Sequence, residues 1–231
     1  MGALFNTILY KPLLNALIIL YQYLPGQDFG IAIIVLTCLV RLLLYPLTSK
    51  SFKAQKAMQS IQPKIKEIQK KFKDKGEQGK AMMELYKKEK ISPFSGCLPM
   101  LIQFPILIAL FFVFRNLSEG SAIDNNLLYS FVSRPEEINT MFLGLLNLAK
   151  PSAVLAIIAG GLQFFQMKMM HGQNKDSGDK KDFSQTMQKQ MLYFFPFFAI
   201  IILLKLPSAV GLYWITTTLF AIGQQYLTFK D

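Results

Sequence analysis

Residues 36–47 read LTCLVRLLLYPL, and a single charge, Arg41, interrupts them. The stretch lies inside a longer apolar run, Phe29 to Ser49, which is long enough to cross a bilayer. An arginine near the centre of a spanning helix costs about 2.5–3.5 kcal/mol on insertion scales, so such a residue normally pairs with an acid or faces water. Working outward, segments of similar character recur at 94–115, 151–170, 188–205 and 208–228. With 29–49 they make five expected spans, and none of them contains Asp or Glu. Asp28 stands only at the edge of the first. The sequence therefore offers Arg41 no counter-ion within the membrane.

The composition agrees with an all-α integral membrane protein of one domain. The chain has 231 residues, of which 52% are hydrophobic and only 17% charged, with a formal charge of +11. Cys38 and Cys97 sit in or beside apolar segments, as small buried hydrophobes do. His171 is the lone histidine and has no cluster of Cys, Asp or Glu near it, so no metal is expected. The N-terminus has no basic region followed by a small-residue cleavage site, so no standard signal peptide is read there.

Residues 3–24 are apolar but carry Thr7, Lys11, Asn15 and Gln22 within one narrow arc of a helix. That pattern, with Pro12, favours a helix lying at the membrane interface over a sixth span. PGQD at 25–28 is a turn. The 50–90 stretch is lysine-rich, and Met58, Ile61, Ile65, Ile68 and Phe72 repeat at alternating three- and four-residue intervals. DKGEQG at 74–79 breaks the pattern, and Met82, Leu85 and Tyr86 resume it, so the stretch reads as an antiparallel helical hairpin. The 116–150 loop is slightly acidic, while the 171–187 loop is lysine-bearing. Lysine bias puts the hairpin and the second loop in the cytoplasm, with the N-terminus outside and the C-terminus inside.

Two readings of Arg41 follow. In one, it snorkels to the cytoplasmic headgroups and anchors its helix. Eight residues separate it from Ser49, which is about 12 Å of helix and a long reach. In the other, favoured here, it faces a hydrated cavity and attracts negative charge on a visiting molecule. Thr37 precedes it by one turn. Gln103 on the second span, Gln163 and Gln166 on the third, and Tyr213, Trp214 and Thr217 on the fifth are further candidates for the same cavity. Such residues also glue helices together or mark interfaces, so spacing alone leaves open which of them face Arg41.

VRLLLYPLTSKSFKAQKAMQSIQPKIKEIQKKFKD (40–74), LYKKEKISPFSGCLPMLIQFPILIALF (85–111) and PSAVGLYWITTTLFAIGQQY (207–226) resemble the YidC membrane protein insertases. The resemblance implies five transmembrane helices around a hydrophilic groove, open to cytoplasm and lipid, with an N-terminal interfacial helix and a cytoplasmic hairpin. It implies a groove arginine at Arg41 and groove-lining positions at Thr37, Gln163 and Trp214. Thr217 and Thr218 stand where members often carry asparagine. The implied partners are nascent membrane protein clients, the ribosome, the Sec translocon and membrane lipids, with the chain acting as a monomer in a bacterial inner membrane. Ribosome contact is expected through 50–90 or 171–185. No cofactor is expected, and no GxxxxGK[ST] motif for a nucleotide occurs. The rival readings are a small secondary transporter, which calls for coupling acids and repeated halves, and a lipid-organising or ribosome-tethering scaffold. An intramembrane enzyme would need a nucleophile with a base, or paired carboxylates, and the spans offer neither.

Overall fold

The computed structural model describes residues 2–72, 74–92, 98–118, 125–135, 137–171 and 183–230, and it is predominantly helical. The N-terminal helix begins as α1 (Ala3–Phe5), widens to a π turn over Asn6–Tyr10, and continues as α2 (Lys11–Tyr23). Pro12 explains the widening. It has no N–H, and its ring crowds the carbonyl one turn back, so the regular ladder cannot continue there. A 3-10 turn at Pro25–Gln27, with Gly26 at φ 78°, then reverses the chain. Asp28 caps the next helix by accepting from the Ile31 amide at 2.9 Å.

That helix, α3 (Phe29–Ser60), continues past the expected end of the first span at Ser49. Residues 50–60 contain no Gly or Pro and are rich in Lys, Gln and Ala, which favour helix, so the expected span runs on unbroken into the first arm of the hairpin. The break comes at Ile61, just ahead of Pro63 in the first turn of α4 (Gln62–Lys71). Asp74 caps α5 (Lys75–Lys88) through the Glu77 amide. Ile61 and Ile65 are buried, while Met58, Ile68, Phe72, Met82, Leu85 and Tyr86 are half-buried along the expected seam. Lys64 and Glu89 form an ion pair of 2.5 Å between the two arms.

α6 spans Leu98–Ser118; the expected start at 94, and Cys97, lie outside the described residues. After it come a 3-10 turn at Asn125–Leu127 and a two-stranded antiparallel ribbon, β1 (Met141–Phe142) with β2 (Leu146–Asn147). α7 (Ala153–His171) follows; most of the expected 171–187 loop falls outside the described residues. α8 (Phe183–Leu203) starts five residues before the expected 188, and α9 (Ser208–Lys230) ends the fold. Cys38 is a free, half-buried thiol.

The helices form an arc. α3 packs along α9, α9 along α7, and α7 along α8, while α6 packs on the N-terminal helix and touches α3 and α9. α6 and α8 are the two edges and are not a packed pair among the described residues. Thr48 bonds Gln224 and Lys56 bonds the Phe229 carbonyl, so α3 and α9 run parallel. The close α7–α8 approach depends on Gly160, where a Cβ would run into the Ile200 side chain. Two helices, Ala3–Tyr23 and Phe29–Ser60, are long and apolar enough to cross a membrane, and shorter apolar stretches run over Leu101–Leu117, Ala153–Met169 and Leu192–Leu203. Their outer faces leave large side chains such as Leu43, Phe104, Ile157, Phe194 and Phe197 exposed. A surface that apolar suits lipid better than water.

Candidate functional site

The bundle has two ends, one carrying the α4–α5 hairpin and one carrying the 125–150 loop. Arg41 lies between them. It is half-buried, and its Nη2 donates to Gln103 Oε1 at 2.9 Å. Gln103 Nε2 in turn donates to the Tyr213 hydroxyl. Three helices, α3, α6 and α9, therefore meet through one chain of side-chain hydrogen bonds. The only ion pair among the described residues is Lys64–Glu89, so the neighbours of Arg41 that bond it are neutral. A neutral amide orients the guanidinium without cancelling its charge. Gln103 takes one of its five donors.

The Phe29 and Phe114 rings meet edge to face. Arg41 is twelve residues beyond Phe29 on α3 and Gln103 eleven before Phe114 on α6, about 18 Å and about 16 Å at helical rise. Gln103 thus stands close to the level of Arg41, and the guanidinium reaches across to α6.

The remaining candidates divide. Trp214 Nε1 donates to Gln163 Oε1 at 3.0 Å, tying α9 to α7 one residue beyond Tyr213. Gln166 is half-buried one turn further along α7, and Thr217 is half-buried one turn beyond Tyr213 on α9. Thr37 is 1% exposed, and its hydroxyl donates to the Ile33 carbonyl of its own helix at 2.6 Å. It therefore sits within packed core. The structure brings Arg41, Gln103 and Tyr213 together, and brings Trp214 to Gln163. It leaves Gln166 and Thr37 outside both bonded sets.

The loop end is built differently. Asn15, 1% exposed, donates to the Leu127 carbonyl at 2.8 Å and accepts from the Tyr129 amide at 2.8 Å. Lys11 donates to the Asn126 carbonyl and Gln22 to that of Ser133. The Tyr21 hydroxyl accepts from the Asn139 amide, and Asp28 accepts from that of Leu143. Phe142 of β1 lies against Gly30, where any Cβ would strike its ring. Three residues of the polar stripe of the N-terminal helix, Lys11, Asn15 and Gln22, thus face a folded loop, while Thr7 bonds the Ala3 carbonyl of its own helix. The stripe was visible in the sequence. Its partners were not, because backbone groups more than a hundred residues away carry no signature.

One further node was missed. Gln224, 3% exposed, donates to the Tyr45 carbonyl at 3.1 Å and lies 2.8 Å from both the Thr48 and Ser49 hydroxyls. Beside it Gln225 is fully buried, and neither atom of its amide has a partner. The only available signal was a pair of adjacent glutamines in a largely apolar helix.

Comparison with known proteins points one way. Residues 19–231 match the family described as 60Kd inner membrane protein. A protein named membrane protein insertase YidC from Fusobacterium nucleatum subsp. nucleatum is 36% identical over 204 residues, covering 88% of this chain and 87% of its own. Its namesake from Oceanobacillus iheyensis is 35% identical over 232 residues, covering 98% and 84%. In Francisella tularensis subsp. novicida the namesake is 36% identical over 201 residues, but the match spans only 32% of that longer protein. A crystal structure of an active YidC insertase with its first transmembrane domain resolved superposes with a TM-score of 0.63 at 27% identity, over 94% of this chain and 46% of that one.

Proposed function

The chain belongs to the 60Kd inner membrane protein family, that of the YidC insertases, and on that premise we propose how it works as a membrane protein insertase. A newly made client must carry a polar tail across hydrocarbon. Arg41, bonded to neutral Gln103 in an arc whose edges α6 and α8 do not pack together, is the observation that carries the reading. The arc is a groove, wet on the hairpin side and open sideways to lipid. It shortens the dry distance that the tail must cross.

The magnitudes favour a transient grip. A unit charge 4 Å from Arg41 gains about 4 kcal/mol at an effective dielectric of 20. Carrying an aspartate to the middle of a membrane costs about 2.5–3.5 kcal/mol. The two nearly offset each other, so an acidic tail is admitted without being trapped. The client's apolar segment then leaves past the exposed side chains of α6 and α8 into lipid, which is the driving partition. The membrane potential adds a push on charged tails. No reaction is catalysed and no nucleotide is consumed.

In this arrangement the hairpin faces the cytoplasm, where its lysines meet the ribosome or anionic headgroups. The N-terminal helix and the 125–150 loop seal the outer side. The helices 29–49, 98–118, 153–171, 183–203 and 208–230 supply the five spans, and one copy suffices. Photocrosslinkers placed through 36–47 against a stalled nascent chain test the reading. Crosslinks are expected from Arg41 and from the exposed Tyr45 one turn further on the same face, and not from buried Leu36 or from Leu43 on the outer face. A stretch silent throughout, in a protein that still inserts clients, would overturn it.

A further inference from the structure

We infer that the tip of the β1–β2 ribbon, Leu143–Gly144–Leu145, is a lipid anchor: it dips into the leaflet at the loop end of the bundle, beside the first turn of α3. The inference needs only that the chain is an inner membrane protein, and it stands whether or not Arg41 receives clients. The Leu145 amide donates to the Phe142 carbonyl at 3.0 Å and closes a turn whose two central residues, Leu143 and Gly144, stand at φ 50° and 69°. Turns with both central residues left-handed favour Asn-Gly, because a larger side chain crowds the backbone there. Leucine at the first of these positions is therefore strained. The fold does not take it inward either, for Leu143 is 59% exposed and Leu145 86%. Leucines that suit neither their backbone nor the core point to a partner outside the chain.

Three observations make that partner lipid. First, the turn is fixed at the level where α3 begins. Asp28 Oδ1 accepts from the Ile31 amide as the helix cap, Asp28 Oδ2 accepts from the Leu143 amide at 2.5 Å, and Phe142 lies on Gly30. The helix that starts at Phe29 is long and apolar enough to span, so the tip sits where hydrocarbon gives way to headgroups. Second, no residue from Ile138 to Ala149 is charged. Nothing on the ribbon has to leave water as an ion when the tip enters the interface. Third, Tyr23 is 83% exposed at the end of the N-terminal helix, five residues before Asp28. An exposed tyrosine at the end of an apolar helix is what the headgroup layer selects. The ribbon tip and Tyr23 thus flank the same cap, and both offer apolar surface at the height of the membrane boundary.

The test is fluorescence quenching of Leu145→Trp in reconstituted phosphatidylcholine vesicles. Trp214 is the only native tryptophan, and its signal is subtracted with the unsubstituted protein. Emission from the added indole should shift to shorter wavelength relative to the unfolded chain. It should lose intensity in vesicles whose lipid is brominated near the top of the acyl chains, and lose little to iodide on both sides of the membrane. Leu145→Cys, labelled with a small fluorophore in a chain carrying Cys38→Ala and Cys97→Ala, serves if Leu145→Trp fails to fold. Brominated lipid without effect on the reporter would overturn the inference. Strong iodide quenching would then place the tip in water, and quenching by neither agent would place it against protein, such as a second copy of the chain. Either failure would leave the insertase reading intact, because neither reporter touches Arg41 or its hydrogen-bonded partners.

Discussion

At the loop end, side chains bind backbone; around Arg41, side chains bind side chains. Asn15, Lys11, Gln22, Tyr21 and Asp28 all reach main-chain groups of a loop far away in sequence. A backbone group cannot swing away from its chain, so that closure is rigid. Arg41, Gln103 and Tyr213 are joined side chain to side chain, and of the three Tyr213 is buried in the core while Arg41 is half-buried. The same kinds of polar residue thus tie a loop down at one end and link three helices in the middle. In the proposed insertase the first would close the outer side and the second would meet the client.

The contrast can be broken hardest at Asn15. Asn15→Leu leaves the half-buried Leu127 carbonyl and Tyr129 amide without their partner, and should cost about 1–3 kcal/mol. Thermal unfolding should shift down accordingly, and the Tyr129 amide should exchange its hydrogen much faster. No change in either measurement would mean that the loop is held by packing alone. Arg41→Ala should have little effect on stability by comparison. It should lower insertion of an acidic-tailed client about tenfold, equivalent to ~1.4 kcal/mol, with Arg41→Lys keeping part of the activity. Undiminished insertion would return Arg41 to the role of an anchor.

Gln225 offers a smaller effect of opposite sign. Its amide is buried with no partner, so Gln225→Leu should stabilise the protein by about 1 kcal/mol, a rise of roughly 2–4 °C in Tm. A fall would show that the amide has a partner in the membrane. The smallest effect belongs to the hairpin. The hydrogen bond and charge of Lys64 hold the Glu89 carboxyl below its ordinary range. A depressed folded-state value stabilises above the unfolded pKa and is lost as pH falls through the folded one. Amide exchange in α5 should therefore speed up slightly on acidification below the usual glutamate range, and Glu89→Gln should remove that dependence. The pair lies at the surface, so salt should blunt the effect as well.

Periodicity and composition were enough to expect the helical segments, the hairpin seam through Ile61 and Ile65, the turn at 25–28 and an arginine without an acid. These are local properties, because a helix reports its own faces every three or four residues. The unbroken helix through Ser60 was partly legible too, in the missing Gly and Pro after Ser49. Tertiary structure alone decided that Arg41 turns to Gln103, that the Thr37 hydroxyl turns back on its own helix, and that the Asn15 stripe faces a loop. It also decided that Gln224 closes on the Pro46 turn. Each of these depends on which groups meet across long separations in sequence, or on which of two short hydrogen bonds a hydroxyl adopts once its neighbours are packed. A chain encodes such meetings in the sum of its packing and not in any one stretch of residues.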